Sequence, residues 1–105
     1  KKIKEITIPN YDLNNVKHVY HLYMIIVKKR SLLIPFLQKY GIDAKIHYPI
    51  PMHLQPASKI YGYKRGDFPY TEKISKNIMS LPVHEFLSKK DLLFVINKIN
   101  EFYEN

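Results

Sequence analysis

Cysteine is absent from the 105 residues, which excludes disulfides, thiolate metal sites and a cysteine nucleophile. Glycine is scarce: only Gly41, Gly62 and Gly66 occur, too few and too scattered for a glycine-rich phosphate loop. Long apolar runs are missing too. The longest, Leu22 to Val27, has strand length, far short of the roughly 18 residues that a membrane span requires. Lys1 to Asn10 lacks the apolar stretch of a secretory signal, so a cytoplasmic setting without membrane contact is the default expectation.

Acidic residues are the minority charge, 9 Asp and Glu against 17 Lys and Arg, for a net charge of +8. That balance raises nucleic acid, a membrane surface and a phosphorylated metabolite as partners. The distribution argues against the first. The only basic run is Lys28-Lys29-Arg30, and neither an RNA-binding aromatic signature nor a recognition helix accompanies it. A basic nucleic-acid-binding domain is therefore the weakest reading.

The apolar content of 46% predicts a folded globule, and the length suits one core rather than two. Residues 1–15, with Ile3, Ile6 and Ile8 and turn material at Pro9-Asn10 and Asn14-Asn15, read as a lead-in segment or linker, and 16–105 as the domain. His18 to Val27 predicts a central strand. Arg30-Ser31 opens a helix with Leu32, Leu33, Phe36, Leu37 and Tyr40 on one face, Pro35 near the first turn and Gly41 as the stop. Asp43 to Tyr48 alternates as a second short strand. Ala57 to Tyr63 reads as a helical turn, Tyr70 to Met79 as a helix with Ile74 and Ile78 at i and i+4, and Ser80 to Val83 as a clipped edge strand. The final helix has a capping box, Ser88 and Asp91, and a stripe of Leu92, Val95, Ile96, Ile99, Phe102 and Tyr103. This order predicts an α+β fold of two layers, a small, mostly antiparallel sheet with helices packed on one face.

The segment Ile46 to Pro56 carries His47, Tyr48, His53 and Gln55 among three prolines. Each proline fixes its own φ and biases the residue before it toward extended backbone, so Tyr48 to Gln55 is expected to be a stiff, mostly extended loop. Stiff loops at strand ends are frequent ligand positions. His47 and His53, six apart, have neither helical zinc spacing nor a neighbouring acidic or thiolate ligand. No serine sits in a nucleophile elbow, and Asp43, Asp67, Glu72, Glu85 and Asp91 share no motif that would pair them as acid and base. No metal and no catalytic residue is expected. His18 and His21 read mainly as packing residues at a junction, and His84 as structural or exposed. His47 and Tyr48 are balanced between packing and ligand contact. His53 and Gln55 suit hydroxyl-bearing ligands or the loop's own backbone equally well.

At these residues a resemblance becomes specific. His18-Val19-Tyr20-His21-Leu22-Tyr23, Gly41-Ile42, then His47-Tyr48-Pro49, Pro51, His53 and Gln55-Pro56 occur in order. Gly62-Tyr63, Gly66-Asp67-Phe68-Pro69 with Glu72, and Leu81-Pro82 follow. From about Ile6 to Tyr103 the chain resembles the C-terminal small domain of the DegT/DnrJ/EryC1/StrS family, pyridoxal-phosphate-dependent nucleotide-sugar aminotransferases of the aspartate aminotransferase fold. The stretch from Gly62 to Pro69 is most similar to members acting on keto-deoxyhexoses carried on a nucleoside diphosphate.

The resemblance implies a parent that takes an amino group, usually from glutamate, and serves deoxyamino-sugar biosynthesis for cell-surface polysaccharide. It places the Schiff-base lysine in a large N-terminal domain, so no cofactor is expected on this chain and none of its lysines is assigned. It further implies that the large domain, the nucleotide-sugar substrate and a second copy of the parent are the partners. His47, Tyr48, His53 and Gln55 are the candidate substrate-binding residues. Ser31 departs from the Arg-Asp pair common in relatives but is expected still to cap the first helix. A non-catalytic module binding a nucleotide sugar or a protein is the alternative.

Overall fold

The apolar run 23–27 lies at the middle of a three-stranded antiparallel sheet in the computed structural model, which describes residues 3–10, 15 and 17–104. The strands are β1 (Ile6–Thr7), β2 (Tyr23–Val27) and β3 (Ile78–Leu81), in the order β1-β2-β3. Residues within 1–15 thus supply a sheet strand, with Ile6 opposite Val27. Asn14 and Val16, where the lead-in was expected to end, lie outside the described residues. The central strand begins at Tyr23 rather than His18, because Tyr20 at φ 51 turns the backbone out of the extended path.

Strand alternation sorts β2 into two faces. Ile25 and Val27 point into the core, and the register pairs Ile25 with Met79. On this face Leu33 and Leu37 of helix α1 (Arg30–Lys39) and Ile99 of helix α3 (Lys89–Glu104) complete the cluster with Ile42 and Ala44. Leu33, Leu37 and Met79 are fully buried. Each contributes about 1.5–3 kcal/mol relative to exposure. This is the expected two-layer α+β architecture.

The first helix starts differently from the expectation. Its cap is Lys29, at φ 55, with no side-chain cap, and Ser31 lies inside the helix. Pro35 falls in the second turn, not the first; the lost backbone bond is tolerated because the buried Leu33 and Leu37 flank it. Gly41, at φ 75, ends the helix as predicted. Its amide reaches the Gln38 carbonyl at 2.9 Å while Ile42 reaches Leu37 at 3.1 Å, the paired bonds of a glycine-terminated helix.

Two further expectations are corrected. Asp43 to Tyr48 is not a strand: only Lys45 pairs, through mutual backbone bonds of 3.1 and 2.8 Å with Ser80, and Tyr48 at φ 55 breaks the run. The helix expected over Tyr70 to Met79 is α2, Pro69–Ser75, and the chain then turns at Lys76-Asn77. Ile78 belongs to β3, opposite Ile26, so its spacing from Ile74 is not a helical contact. The edge strand correspondingly runs 78–81 and stops before Pro82, which cannot donate to a ladder. Arg30 secures this corner by donating to the carbonyls of Ser75 and Ile78 at 2.7 and 2.8 Å.

The final helix has its predicted start. The Asp91 carboxylate accepts from the Ser88 amide at 2.9 Å and hydroxyl at 2.6 Å, while the Ser88 hydroxyl accepts the Asp91 amide. Its C-terminal half packs on the core and on α1, with Phe102 5.3 Å from Phe36. Its N-terminal half is mostly bare: Leu92, Leu93, Phe94 and Ile96 are exposed, while Val95 packs against the core. Beside Ile96, an apolar groove of about 770 Å³ opens between α3 and the β1 edge, lined by Ile3, Ile6, Ile8, Tyr23 and Leu81.

Candidate functional site

Two short 3-10 turns, Met52–Leu54 and Pro56–Tyr61, fold the long connection between Pro49 and Pro69. The first corrects the expectation of a mostly extended loop over Tyr48 to Gln55. Proline pre-sets the φ that such turns use: Pro51 precedes the first turn and Pro56 opens the second. Gly62, at φ 73, ends the second in the left-handed conformation. The predicted helical turn is therefore present, starting one residue before and ending two residues before the corresponding ends of the span Ala57 to Tyr63.

The four candidate residues fall into separate settings. His47 sits against the sheet, its Nδ1 2.8 Å from the hydroxyl of the buried Ser80. Tyr48 follows with its ring 6.4 Å from that of His47 and 68% of its surface exposed. Its φ of 55 is unusual for any residue with a Cβ, and more so before a proline, which disfavours everything but extended backbone. Local strain of this kind costs about 1–3 kcal/mol and is retained where the surrounding structure fixes it. Gln55 turns back on the loop, donating to the Ile50 carbonyl at 3.4 Å.

His53 is buried, and its partner is Glu72 on the first turn of α2. His53 Nε2 lies 3.0 Å from Glu72 Oε1, which also accepts the Gly66 amide at 2.7 Å. A carboxylate can only accept, so Nε2 carries the proton of this bond. The Arg65 guanidinium stands 4.0 Å from the second carboxylate oxygen. Phe68 packs its ring 4.8 Å from that of His53, and Tyr63 meets Phe68 edge-on at 5.3 Å. The Gly66 amide first, then the His53 ring, hold the Glu72 carboxyl below the ordinary glutamate range; partial burial opposes them and Arg65 adds a smaller pull.

Glu72 was visible in the sequence as part of the Gly62-to-Glu72 motif, but its pairing with His53 was not. No local pattern encodes a contact across 19 positions. Among the described residues no group of three His, Asp or Glu side chains could hold a metal. Every described lysine but Lys98 is exposed, and Lys98 is committed to Glu101 at 2.7 Å and to the Tyr40 ring at 3.8 Å.

A two-layer α+β domain with a structured polar loop is the class that fold and site define. Residues 1–100 match the DegT/DnrJ/EryC1/StrS aminotransferase family, and the chain belongs to that family. It is 36% identical over 103 residues to a pleiotropic regulatory protein of Geobacillus stearothermophilus, covering 98% of this chain and 28% of that one. It is 33% identical over 85 residues to the dTDP-3-amino-3,6-dideoxy-alpha-D-galactopyranose transaminase of Aneurinibacillus thermoaerophilus, covering 81% and 23%. The structure superimposes on S. venezuelae DesV, solved with a ketimine intermediate, at a TM-score of 0.86 and 31% identity, over 96% of this chain and 27% of DesV. Spr1654 of Streptococcus pneumoniae, solved in a PLP form, gives a TM-score of 0.80 at 28% identity over 95% and 26%. The chain spans about a quarter of the length of these proteins.

Proposed function

We propose that this chain is the C-terminal small-domain portion of a pyridoxal-phosphate-dependent enzyme. The parent moves an amino group from glutamate to the keto carbon of a deoxyhexose carried on a nucleoside diphosphate. Glutamate leaves as 2-oxoglutarate, and the sugar carbonyl becomes an amine. The observation that carries this reading is the superposition on DesV, which takes in 96% of this chain and only 27% of that enzyme.

The physical state of the chain supports it. Its radius of gyration is 15.9 Å, against about 13 Å for a self-contained domain of this length. The groove beside Ile96 and the bare half of α3 are apolar surfaces of the kind that more protein covers. In this reading the remainder of the parent covers them, and the parent works as a cytoplasmic homodimer.

The residues present do not fit a pyridoxal phosphate site, for want of an enclosed, uncommitted lysine and of a phosphate cradle among the described residues. The cofactor is accordingly assigned to the part of the parent that this chain does not span, and no step is routed through it. What this chain contributes is a wall. His47 and Tyr48 project toward the substrate from the sheet edge, and His53 and Gln55 shape the loop behind them. The excess of basic residues favours an anionic diphosphate nearby.

The test is the reaction itself. The cofactor-loaded parent, given glutamate and a nucleoside-diphosphate keto-deoxyhexose, is expected to yield the amino sugar and 2-oxoglutarate, whereas this chain alone yields neither. A folded parent that transfers no amino group to any such sugar contradicts the reading.

A further inference from the structure

The loop 62–68 is fixed to the rest of the chain largely through one carboxylate. Glu72 Oε1 accepts from the Gly66 amide at 2.7 Å and from His53 Nε2 at 3.0 Å, and so bridges the loop to the proline-rich segment. Glu72 and His53 keep only 12% and 7% of their side-chain surface, while Arg65 on the loop keeps 73%. The loop tip is closed by its own bonds, Lys64 amide to the Asp67 carboxylate at 2.9 Å and Asp67 amide to the Lys64 carbonyl at 3.2 Å. The tip can therefore keep its shape yet move as a unit once the bridge is broken. Phe68, tilted against the His53 ring, and Tyr63, edge-on to Phe68, would move with it.

We propose that Glu72 is a positioning residue for nucleotide-sugar binding: it docks the loop 62–68 onto His53, so that Tyr63 and Arg65 form an outward rim on the connection that follows His47 and Tyr48. The proposal rests on the aminotransferase reading and adds to it a specific duty for one side chain. Glu72 does not touch the reacting atoms. Its effect passes through the His53 ring and the Gly66 amide, and the exposed guanidinium and aromatic ring that it places suit a diphosphate and its base.

The discriminating variant is Glu72→Gln in the full-length parent, which keeps side-chain volume but removes the charge that favours both donors. Two readouts are needed. Tryptic cleavage after Lys64 and Arg65 reports release of the loop, and is expected to quicken about tenfold, the scale of one charge-assisted hydrogen bond. Steady-state kinetics are expected to show KM for the nucleotide sugar raised about tenfold, with kcat and KM for glutamate within about twofold. Phe68→Leu, which loosens the same docking without touching the carboxylate, is expected to give the same pattern more weakly, and serves if Glu72→Gln does not fold. Unchanged cleavage and unchanged KM overturn the proposal. So does a uniform loss of kcat and both KM values alongside a lower melting point, since that is a role in folding only. A wild-type parent inactive on every nucleotide sugar would instead overturn the aminotransferase reading, and the cleavage comparison then decides whether Glu72 docks the loop.

Discussion

His53 and Glu72 meet at 3.0 Å across 19 positions of sequence, and this contact holds the proline-rich segment against the first turn of α2. It converts a loop with little regular structure into a fixed surface. The consequences can be measured separately from any activity.

The first concerns pH. Glu72 has its folded pKa held below the unfolded value, so the stability it contributes is fully present above about pH 5 and is lost as pH falls through the lower folded value. Asp91, held down chiefly by the Ser88 hydroxyl, follows the same sign. Amide hydrogen-exchange protection at Gly66, corrected for intrinsic rates, is expected to persist at pH 6 and to be lost as the pH falls below the ordinary glutamate range. Protection that is flat over this range contradicts the docking geometry.

Tyr48 offers a case in which stability and binding separate. At φ 55, with most of its ring exposed, it loses little packing on substitution by glycine, which adopts that backbone freely. Tyr48→Gly is expected to leave the parent's melting point unchanged or to raise stability by up to ~1 kcal/mol, while weakening nucleotide-sugar binding. A large loss of stability would show that the side chain, not the backbone, is what the fold retains.

The core gives a calibration. Leu37→Ala, at a fully buried position, is expected to destabilise the fold by about 2–5 kcal/mol in denaturant titration. Ser88→Ala, which removes one half of the capping box, is expected to cost about 1 kcal/mol.

Much of this fold was legible in the sequence, for identifiable reasons. The helices α1 and α3 announce themselves through apolar spacing, and their ends through Gly41 and the Ser88-Asp91 pair. The α2–β3 boundary was hidden because Ile74 and Ile78 imitate a helical pair. What decides it is the pairing of Ile78 with Ile26, a long-range fact that no local window contains. Tyr48 misled in another way: proline chemistry predicts an extended residue there, and the fold holds it left-handed. Within the candidate site the residue types were legible and their partners were not. Ser80 for His47 and Glu72 for His53 are both tertiary contacts.

The exposed apolar half of α3 supplies a test of what surrounds the chain. Ile96→Ser and Leu92→Ser are expected to be near neutral, or to reduce self-association, in this chain alone, because about half of each residue is already exposed. In the parent the same changes are expected to destabilise by about 1–3 kcal/mol if that face is covered. Equal, small effects in both would place the surface in solvent and remove this support for a covering domain.

The most direct measurement of the central claim is mass spectrometry of the products formed by the cofactor-loaded, full-length parent from glutamate and a nucleoside-diphosphate keto-deoxyhexose. The account predicts an amino sugar still linked to its nucleotide, with an equal amount of 2-oxoglutarate, and neither product from this chain alone. A folded, cofactor-loaded parent that leaves every such keto sugar unchanged, or a chain that carries out the transfer by itself, would contradict it.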